Sequence, residues 1–231
     1  MPINNLTEEG FGMLTGSAAS PSFSFGNALQ FDGVNDFVNY SAVYSGSESR
    51  TVEAWIRVTS ADLSGTRYLF GQSGTAAANH FHLDIRSGVL TFTAAGGAFT
   101  FSTSKTFLAD TNYHVAVTYD GTTVVVYVDG LNVGSQNYSL NTDGTLFRLG
   151  VRIDINLVYA GLINEFRMWN VARTQQEIQD NKEVNVIGQT GLLVYSRMNE
   201  TGTDTTATDS SGNGNNGTLN NFPVSGMWVA Y

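Results

Sequence analysis

The 231-residue sequence has no cysteine, three prolines, three histidines and few charged residues, which make up only 13% of the chain. The absence of cysteine excludes a disulfide scaffold, a thiolate zinc site and a cysteine nucleophile. No apolar run approaches the roughly 18 residues that a membrane-spanning helix requires. We therefore expect no membrane insertion and no disulfide-based stabilisation.

Positive charge is also scarce, with 11 Lys and Arg residues against 20 Asp and Glu residues and a formal net charge of −9. Such a chain repels phosphate backbones and anionic lipid surfaces, so we expect no nucleic acid partner. Hydrophobic residues make up 42% of the chain, aromatic residues 12%, and there are 25 glycines. This composition supplies a sizeable core and favours an all-β fold with many turns.

The first residues, 1–5, lack the basic patch and the apolar stretch of a signal peptide. Four Asn-x-Ser/Thr triplets are expected by chance in a chain this rich in Asn, Ser and Thr. We expect a module of a larger secreted or cell-surface protein, with neighbouring domains and a signal peptide upstream.

The dominant periodicity of the sequence is two, which is typical of half-buried strands. Apolar and polar residues alternate over 52–58 and 113–119, and Asp120-Gly121 predicts a tight hairpin turn before the strand at 124–128. Further strands are predicted at 28–32, 36–40, 67–71, 80–86, 89–93, 98–102, 145–150, 158–169, 192–198 and 226–230.

One stretch, residues 173–180, instead predicts a short helix that is capped by Thr174, with Glu177 completing a capping box. Many short strands with one helix indicate an all-β, two-sheet antiparallel sandwich or jelly roll. No linker divides the chain, so we predict a single domain over 1–231. Residues 1–26 form an N-terminal extension, and residues 191–231 supply C-terminal strands and a loop that complete the sandwich.

Five segments, in this order, resemble laminin-G-like domains of the concanavalin A-like lectin/glucanase superfamily. They are Ala28–Val38, Thr51–Ile56, His114–Gly121, Val126–Gly130 and Gly161–Asn170. The tail also resembles a stretch that accompanies these domains in bacterial secreted proteins, although in many relatives it stands before the domain. The resemblance implies a twisted antiparallel sandwich that binds glycans or proteins, often with calcium. Because the superfamily also contains glycoside hydrolases, catalysis is a separate question.

A calcium site is predicted at the loop Asp209-x-Ser211-x-Asn213-Gly214, where side-chain oxygens alternate before a glycine. The carbonyl of Asn215 is a fourth ligand, and the acidic residue that normally closes such a loop is missing at Asn220. The remaining oxygens would come from Asp32, Asp36 or Asn164, although relatives often have Asp in place of Asn164. The alternative is a turn stabilised by Asx hydrogen bonds.

On each of two predicted strands, a glutamate shares one face with a tryptophan and an arginine. The glutamates are Glu53 on one strand and Glu165, two residues before Arg167, on the other. Glycosidases use two carboxyl groups. The superfamily's laminarinase-type hydrolases, however, carry two Glu and one Asp on a single strand, and this sequence has no such strand. We therefore favour structural pairing of each Glu with an Arg, covered by Trp rings, and expect the protein not to be an enzyme.

Aromatic rings, amides, carboxylates and arginines in the loops at one end of the sandwich would bind sugars. The candidate ligand-binding residues are Tyr68, Asn79, His80, His82, Arg86, Arg152, Asp154, Asn156 and Tyr159. His80 and His82 share one strand face and are also candidate metal ligands, but no third ligand is evident. We predict a non-catalytic, calcium-binding, lectin-like module for a glycan or glycoprotein. The alternatives are a structural or adhesive repeat and, less well supported, a glycoside hydrolase.

Overall fold

The structure is a computed structural model that describes residues 25–72, 79–94, 97–152 and 157–231. In these ranges the chain forms sixteen strands, one α-helix and one 3₁₀ turn at Ser60–Leu63. The strands are β1 (Asn27–Asp32), β2 (Phe37–Tyr40), β3 (Arg50–Val58), β4 (Thr66–Gln72), β5 (Phe81–Arg86), β6 (Val89–Ala94), β7 (Phe99–Thr106), β8 (Asn112–Tyr119), β9 (Thr123–Val128), β10 (Leu131–Asn137), β11 (Phe147–Leu149), β12 (Ala160–Trp169), β13 (Leu192–Ser196), β14 (Thr206–Ala207), β15 (Gly217–Asn220) and β16 (Trp228–Ala230). The helix, α1, is Gln175–Asn181.

The strands form two sheets of eight. Sheet I has the order β10-β9-β8-β3-β12-β1-β16, with β13 also paired to β12. Sheet II has the order β14-β15-β2-β11-β4-β5-β6-β7. All the pairings within the sheets are antiparallel. The predicted two-sheet antiparallel sandwich is confirmed, as is the Asp120-Gly121 hairpin between β8 and β9.

The core lies between the inward faces of the two sheets, where the alternating apolar residues of each strand meet. On β3 these are Val52, Ala54, Ile56 and Val58, and all four are fully buried. Phe166 of sheet I is fully buried against aromatic side chains of sheet II. Its ring centroid lies 5.0 Å from that of Tyr40, 5.9 Å from that of Phe147 and 6.3 Å from that of Phe70. Period-two alternation thus places one face of every central strand in a shared core.

The C-terminal segment contributes strands to both sheets. β13 pairs with β12, and β16 pairs with β1, at sheet I. β15 pairs with β2, and β14 with β15, at the edge of sheet II. β10 was not predicted from the sequence because its residues are largely exposed, and β14 and β15, which are only two and four residues long, were expected in 191–231 without bounds.

Helix α1 begins as predicted at its N-cap Thr174, whose hydroxyl accepts a hydrogen bond from the backbone N–H of Glu177. Ile178 is fully buried and packs with Ala116 and Tyr127 on the outward face of sheet I. The helix and its flanking segment therefore cover this face. In the described ranges, no helix has the length and apolarity needed to cross a membrane.

We predict that Phe166→Ala lowers the free energy of unfolding by about 3–5 kcal/mol, because it leaves a cavity between the two sheets. The measurement is urea unfolding followed by tryptophan fluorescence. Leu131→Ala on β10 is the control, since Leu131 is 59% exposed and its truncation is expected to change stability by no more than about 0.5 kcal/mol. Equal effects of the two substitutions would contradict this assignment of the core.

Candidate functional site

The outward face of sheet II carries a band of polar side chains, which we call the polar face. On β5, Phe81, Leu83 and Ile85 lie in the core, so His82, Asp84 and Arg86 point the other way. The cross-strand register brings residues of the neighbouring strands β2, β11, β4 and β6 onto the same face. The polar face thus comprises Asn39, Arg148, Tyr68, His82, Asp84, Arg86, Thr91 and Thr93.

Asp84 lies at the centre of a hydrogen-bond cluster on this face. Its Oδ2 accepts hydrogen bonds from the hydroxyl of Thr93, at 2.9 Å, and from Nη2 of Arg86, at 3.0 Å. Burial raises the pKa of Asp84, while the hydrogen bonds from Thr93 and Arg86 and the charges of Arg86 and Arg152 oppose that rise. The other oxygen, Oδ1, is buried and accepts no hydrogen bond. The cluster therefore holds a fixed carboxylate with one buried oxygen that has no hydrogen-bond donor among the described residues.

Aromatic and imidazole rings stand next to Asp84. The ring centroids of Tyr68 and His82 lie 4.9 Å apart in an edge-to-face arrangement, and His80 lies 4.9 Å from His82. Opposite His82 on β4 is Gly71. A Cβ at Gly71 would lie 2.8 Å from the hydroxyl oxygen of Tyr68. The hydroxyl of Tyr68 and the backbone of β5 therefore fill the space beside Gly71, which leaves no room for a larger residue.

On the other neighbouring strand, Arg148 of β11 is opposite Gly71 in the register. Its Nε donates a hydrogen bond of 3.0 Å to Oδ1 of Asn39, and its guanidinium carbon lies 5.0 Å from the ring centroid of Phe37. The side chain is half-buried. Stacking and the Asn39 contact together fix the plane of the guanidinium.

The structure gathers several predicted ligand-binding residues on or beside the polar face. Tyr68, His80, His82 and Arg86 lie close together there, and Arg152 is near enough to influence the charge of Asp84. Asn79, just before β5, donates a hydrogen bond to Oδ2 of Asp143 at 2.6 Å. Asp154 and Asn156 lie outside the described residues.

Tyr159 requires a correction. It is fully buried beside Phe31, and its hydroxyl donates hydrogen bonds to the carbonyl oxygens of Arg57, at 2.9 Å, and Leu162, at 3.2 Å. A ring with no exposed surface cannot stack on a sugar, so Tyr159 has a structural role. The rings of Tyr68, 1% exposed, and His82, 2% exposed, cannot stack on a sugar either. Burial raises its pKa well above the usual value.

Sequence reasoning missed Asp84, Thr93, Asn39 and Arg148. Asp84 falls midway between two selected residues, His82 and Arg86, so strand alternation alone could have found it. Arg148 and Asn39 meet only through the pairing of β11 with β2, which links residues 109 positions apart.

The Asp209 loop has the geometry of a hydrogen-bonded turn. Oδ1 of Asp209 accepts hydrogen bonds from the backbone N–H groups of Tyr195 and Ser211, each at 2.9 Å. Oδ2 accepts from the hydroxyl of Ser211 at 2.8 Å and from the backbone N–H of Asn215 at 2.9 Å. Four donors thus surround the carboxylate where a cation would need its oxygens.

The two asparagines of the loop also present donors. Nδ2 of Asn213 donates to the carbonyl of Leu192 at 2.8 Å, and Nδ2 of Asn215 donates to the carbonyl of Leu193 at 2.9 Å. Calcium binds oxygen ligands, six to eight of them. The Asx-turn alternative thus accounts for the hydrogen bonds of the loop, and a calcium ion held by Asp209, Ser211, Asn213 and Asn215 stays a prediction from the sequence.

The more distant predicted ligands do not complete the set. Asp32 pairs with Ala160 on β12. Asp209 lies beside Ser196, and Ser196 pairs with Phe166, which is six residues further along β12 than Ala160. That separation is about 20 Å at the rise of an extended strand. The side-chain amide of Asn164 donates to the carbonyl oxygens of Asn27 and Phe25.

Asp36 is buried and holds the start of the β1–β2 turn. Its Oδ2 accepts a hydrogen bond from the backbone N–H of Asp32 at 2.9 Å. Burial raises the pKa of Asp36 to about 6. Across the described part of the chain, no three acidic or histidine side chains come together as a metal site.

Glu53 and Glu165 form a buried ion cluster with arginines under the helix α1 segment. Oε1 of Glu53 lies 3.1 Å from Nη1 of Arg173 and 3.6 Å from Nη1 of Arg167. Oε2 of Glu165 lies 2.9 Å from Nη2 of Arg167. The indole N–H of Trp169 also donates to Glu53 at 2.9 Å. The structural pairing predicted for these carboxylates is confirmed.

His114 adjoins this cluster, with Nε2 at 3.5 Å from Oε2 of Glu53. Burial lowers the pKa of His114 to about 4, so the ring is neutral at neutral pH. Burial acts to raise the pKa of Glu53, but the charges of Arg167 and Arg173 and the hydrogen bond from Trp169 hold it below its usual value. A carboxylate kept ionised in this way is unsuited to act as a general acid.

The chain resembles a known protein family in sequence and several solved structures in fold. Residues 32–179 match the Laminin_G_3 family model, described as the concanavalin A-like lectin/glucanases superfamily. No curated protein matches the chain. A solved structure from Bacteroides ovatus, named as a candidate carbohydrate binding protein, is 23% identical over 85% of this chain, with a TM-score of 0.70. The chain spans 58% of the length of that protein.

Two further solved structures are more distant. A heptameric SAP-like pentraxin from Limulus polyphemus is 15% identical and has a TM-score of 0.55, with 67% of this chain and 80% of the pentraxin covered. The CBM40 of a Ruminococcus gnavus sialidase, solved with alpha2,3 sialyllactose, is 13% identical with a TM-score of 0.53. That match covers 70% of this chain and 100% of the CBM40. These likenesses show a shared sandwich fold.

We predict that Asp209→Asn lowers the free energy of unfolding by about 1–3 kcal/mol, because an amide cannot accept all four hydrogen bonds. The same loss is expected in excess calcium and in chelator, as measured by urea unfolding in both. The matched control is Asp180→Asn on the exposed face of α1. A wild-type protein that is destabilised by chelator, with no such response in Asp209→Asn, would restore the calcium interpretation.

We also predict that the contribution of His114 to stability, taken as the difference between the wild type and His114→Gln, falls as the pH drops from about 6.5 towards 4. Asp36, whose pKa is raised to about 6, acts in the opposite direction in both proteins. The folded-state pKa of His114 lies below its unfolded value of 6.5, so the unfolded state takes up the proton first. The full loss from this group is about 3 kcal/mol. Urea unfolding across this pH range measures it, and His114→Gln should flatten the slope. An unchanged slope in the variant would contradict this assignment.

Proposed function

We propose that this chain, which belongs to the Laminin_G_3 family of the concanavalin A-like lectin/glucanase superfamily, binds carbohydrate through its polar face. The observation that carries the proposal is the Asp84 cluster, with its buried carboxylate held by Thr93 and Arg86 and one oxygen left without a hydrogen-bond donor. A buried acceptor of this kind suits a ligand rich in hydroxyl donors.

The composition of the polar face supports a sugar ligand. Phe37 supplies a half-buried ring, Asn39 an amide and Arg148 a planar donor group, and these are the groups that bind sugar rings and hydroxyls. They project from paired strands, so their positions are set by the sheet and little ordering entropy is lost on binding.

The polar face supports binding better than catalysis. Glycosidases place two carboxyl groups across the scissile bond. Among the strands that the structure describes, Asp84 is the only carboxylate on this face. The other carboxylate pair, Glu53 and Glu165, is buried and bonded to arginines. We therefore propose a non-catalytic binding module.

The names of similar structures agree with this proposal, since one is a candidate carbohydrate binding protein and another was solved with alpha2,3 sialyllactose. Such a module would act in a secreted or cell-surface protein with neighbouring domains. Calcium stays a prediction from the sequence and is not needed by the polar face. A structural or adhesive repeat without sugar specificity is the alternative.

The test is a glycan array that includes neutral and acidic oligosaccharides, followed by calorimetry on the best ligand. We expect Asp84→Asn and Arg148→Gln to weaken binding about tenfold or more, because each changes a hydrogen-bonding group of the site. Asp110→Asn, an exposed aspartate in the β7–β8 loop beside the outward face of sheet I, is the matched control and should bind normally.

Three outcomes would contradict the proposal in different ways. Loss of binding in the control but not in Asp84→Asn would move the site to sheet I. An array without any ligand would favour the structural repeat. Release of reducing sugar by the wild type, but not by Asp84→Asn, would indicate a hydrolase.

A further inference from the structure

The loop between β14 and β15 contains both Asn-Gly pairs of the chain, Asn213-Gly214 and Asn216-Gly217. An asparagine that is followed by glycine is chemically labile, because no side chain hinders the approach of the glycine nitrogen to the side-chain carbonyl carbon. In a folded protein, the rate of this reaction also depends on how freely the nitrogen and the side chain can move. The two pairs differ in this respect.

Asn213-Gly214 lies in an open part of the loop. Both residues are exposed. Gly214 has a φ of +75°, and a Cβ built on it would find no atom within 4 Å. Within the part of the chain that the structure describes, the backbone N–H of Gly214 donates no hydrogen bond. The nitrogen of this glycine is therefore neither paired nor crowded.

Asn216-Gly217, by contrast, is held by sheet II. Gly217 is buried at the start of β15, which pairs with β14 and β2. A Cβ on Gly217 would lie 2.6 Å from the ring of Tyr40. Oδ1 of Asn216 accepts a hydrogen bond of 2.8 Å from the backbone N–H of Asp209. Bringing the nitrogen of Gly217 onto the side chain of Asn216 therefore requires local opening of the sheet.

The side chain of Asn213 is held only by hydrogen bonds at the surface of the loop. Its Nδ2 donates to the carbonyl oxygens of Leu192, at 2.8 Å, and Leu193, at 3.1 Å. Both bonds must break before the side chain can turn towards Gly214. Because Asn213 is exposed, water can take the place of the broken bonds without any strand leaving its sheet. Asn213 is therefore the more reactive of the two asparagines.

We propose that Asn213 is a site of spontaneous deamidation, a covalent modification that needs only water as co-reactant. The backbone nitrogen of Gly214 attacks Cγ of Asn213, and the side-chain amine leaves as ammonia with the proton of that nitrogen, which forms a five-membered succinimide. Water then opens the ring at either carbonyl carbon and leaves an aspartate or an isoaspartate at position 213. One water is consumed and one ammonia released, with no oxidation or reduction.

The modification changes how the loop is attached to β13. A carboxylate has no N–H to donate, so the new group faces the carbonyl oxygens of Leu192 and Leu193 as one acceptor against two others. It also adds a negative charge to the loop that holds Asp209, in a chain whose formal net charge is already −9. We therefore expect the modified protein to hold its C-terminal segment less tightly and to unfold at a lower urea concentration.

The experiment incubates the full chain in mildly alkaline buffer at body temperature, and peptide mass mapping then measures conversion at each asparagine over time. In the folded protein we expect Asn213 to react about tenfold or more faster than Asn216, and in urea we expect the two rates to converge. Anion exchange separates the more acidic product for unfolding measurements. Asn213→Gln should prevent its formation, whereas the matched control Asn216→Gln should not. Melting temperatures verify that both variants are folded.

Several results would overturn the proposal. They are equal rates at the two asparagines in the folded protein, a faster reaction at Asn216, and no reaction at Asn213 unless urea is present. A preference for Asn213 that is unchanged in urea would show that the fold does not cause it, which also overturns the argument. Asn213→Asp places a carboxylate in the loop directly. If this variant unfolds at the same urea concentration as the wild type, the expected loosening of the C-terminal segment is wrong.

Discussion

The alternation of side chains between the two faces of each strand is the constraint on which the rest of this structure depends. In a sandwich, one face of each sheet is committed to the shared core, as Val52 and Ile56 are on β3 and Leu83 and Ile85 are on β5. Every second residue must then point outward. What a sheet can do chemically is therefore decided by its outward residues and by what covers them.

The two sheets use their outward faces differently. On sheet I, the outward residues Glu53, Arg167 and Trp169 are buried under α1 and its flanking segment, and their charges are matched to each other. Removing one partner of such a cluster would leave an uncompensated buried charge, which costs several kcal/mol (about 3–5). This face is thus committed to holding the helix segment in place. On sheet II, by contrast, Asp84 and Arg148 keep hydrogen-bonding capacity that the described residues do not use.

The sequence predicts the sandwich well because alternation, Asp-Gly turns and the capping box at Thr174 are local signals with direct physical causes. It also predicts part of the polar face, since His80, His82 and Arg86 follow the period of one strand. Arg148 and Asn39 were missed because their contact depends on strand pairing, which no local pattern specifies. Tyr159 was misjudged because an aromatic residue just before a strand can lie inside or outside the core, and only packing decides which.

The Asp209 loop shows a deeper limit of sequence reasoning. Oxygen-bearing side chains at alternate positions before a glycine can surround a cation, or the same carboxylate can accept backbone N–H groups. Both arrangements use Asp209, Ser211 and Asn213 at the same spacing. The choice between them depends on whether strand β13 brings the N–H of Tyr195 and the carbonyls of Leu192 and Leu193 into the loop. Once it does, the donors neutralise the carboxylate and the carbonyls orient the amides. The loop thereby fastens the C-terminal segment to sheet I without requiring an ion.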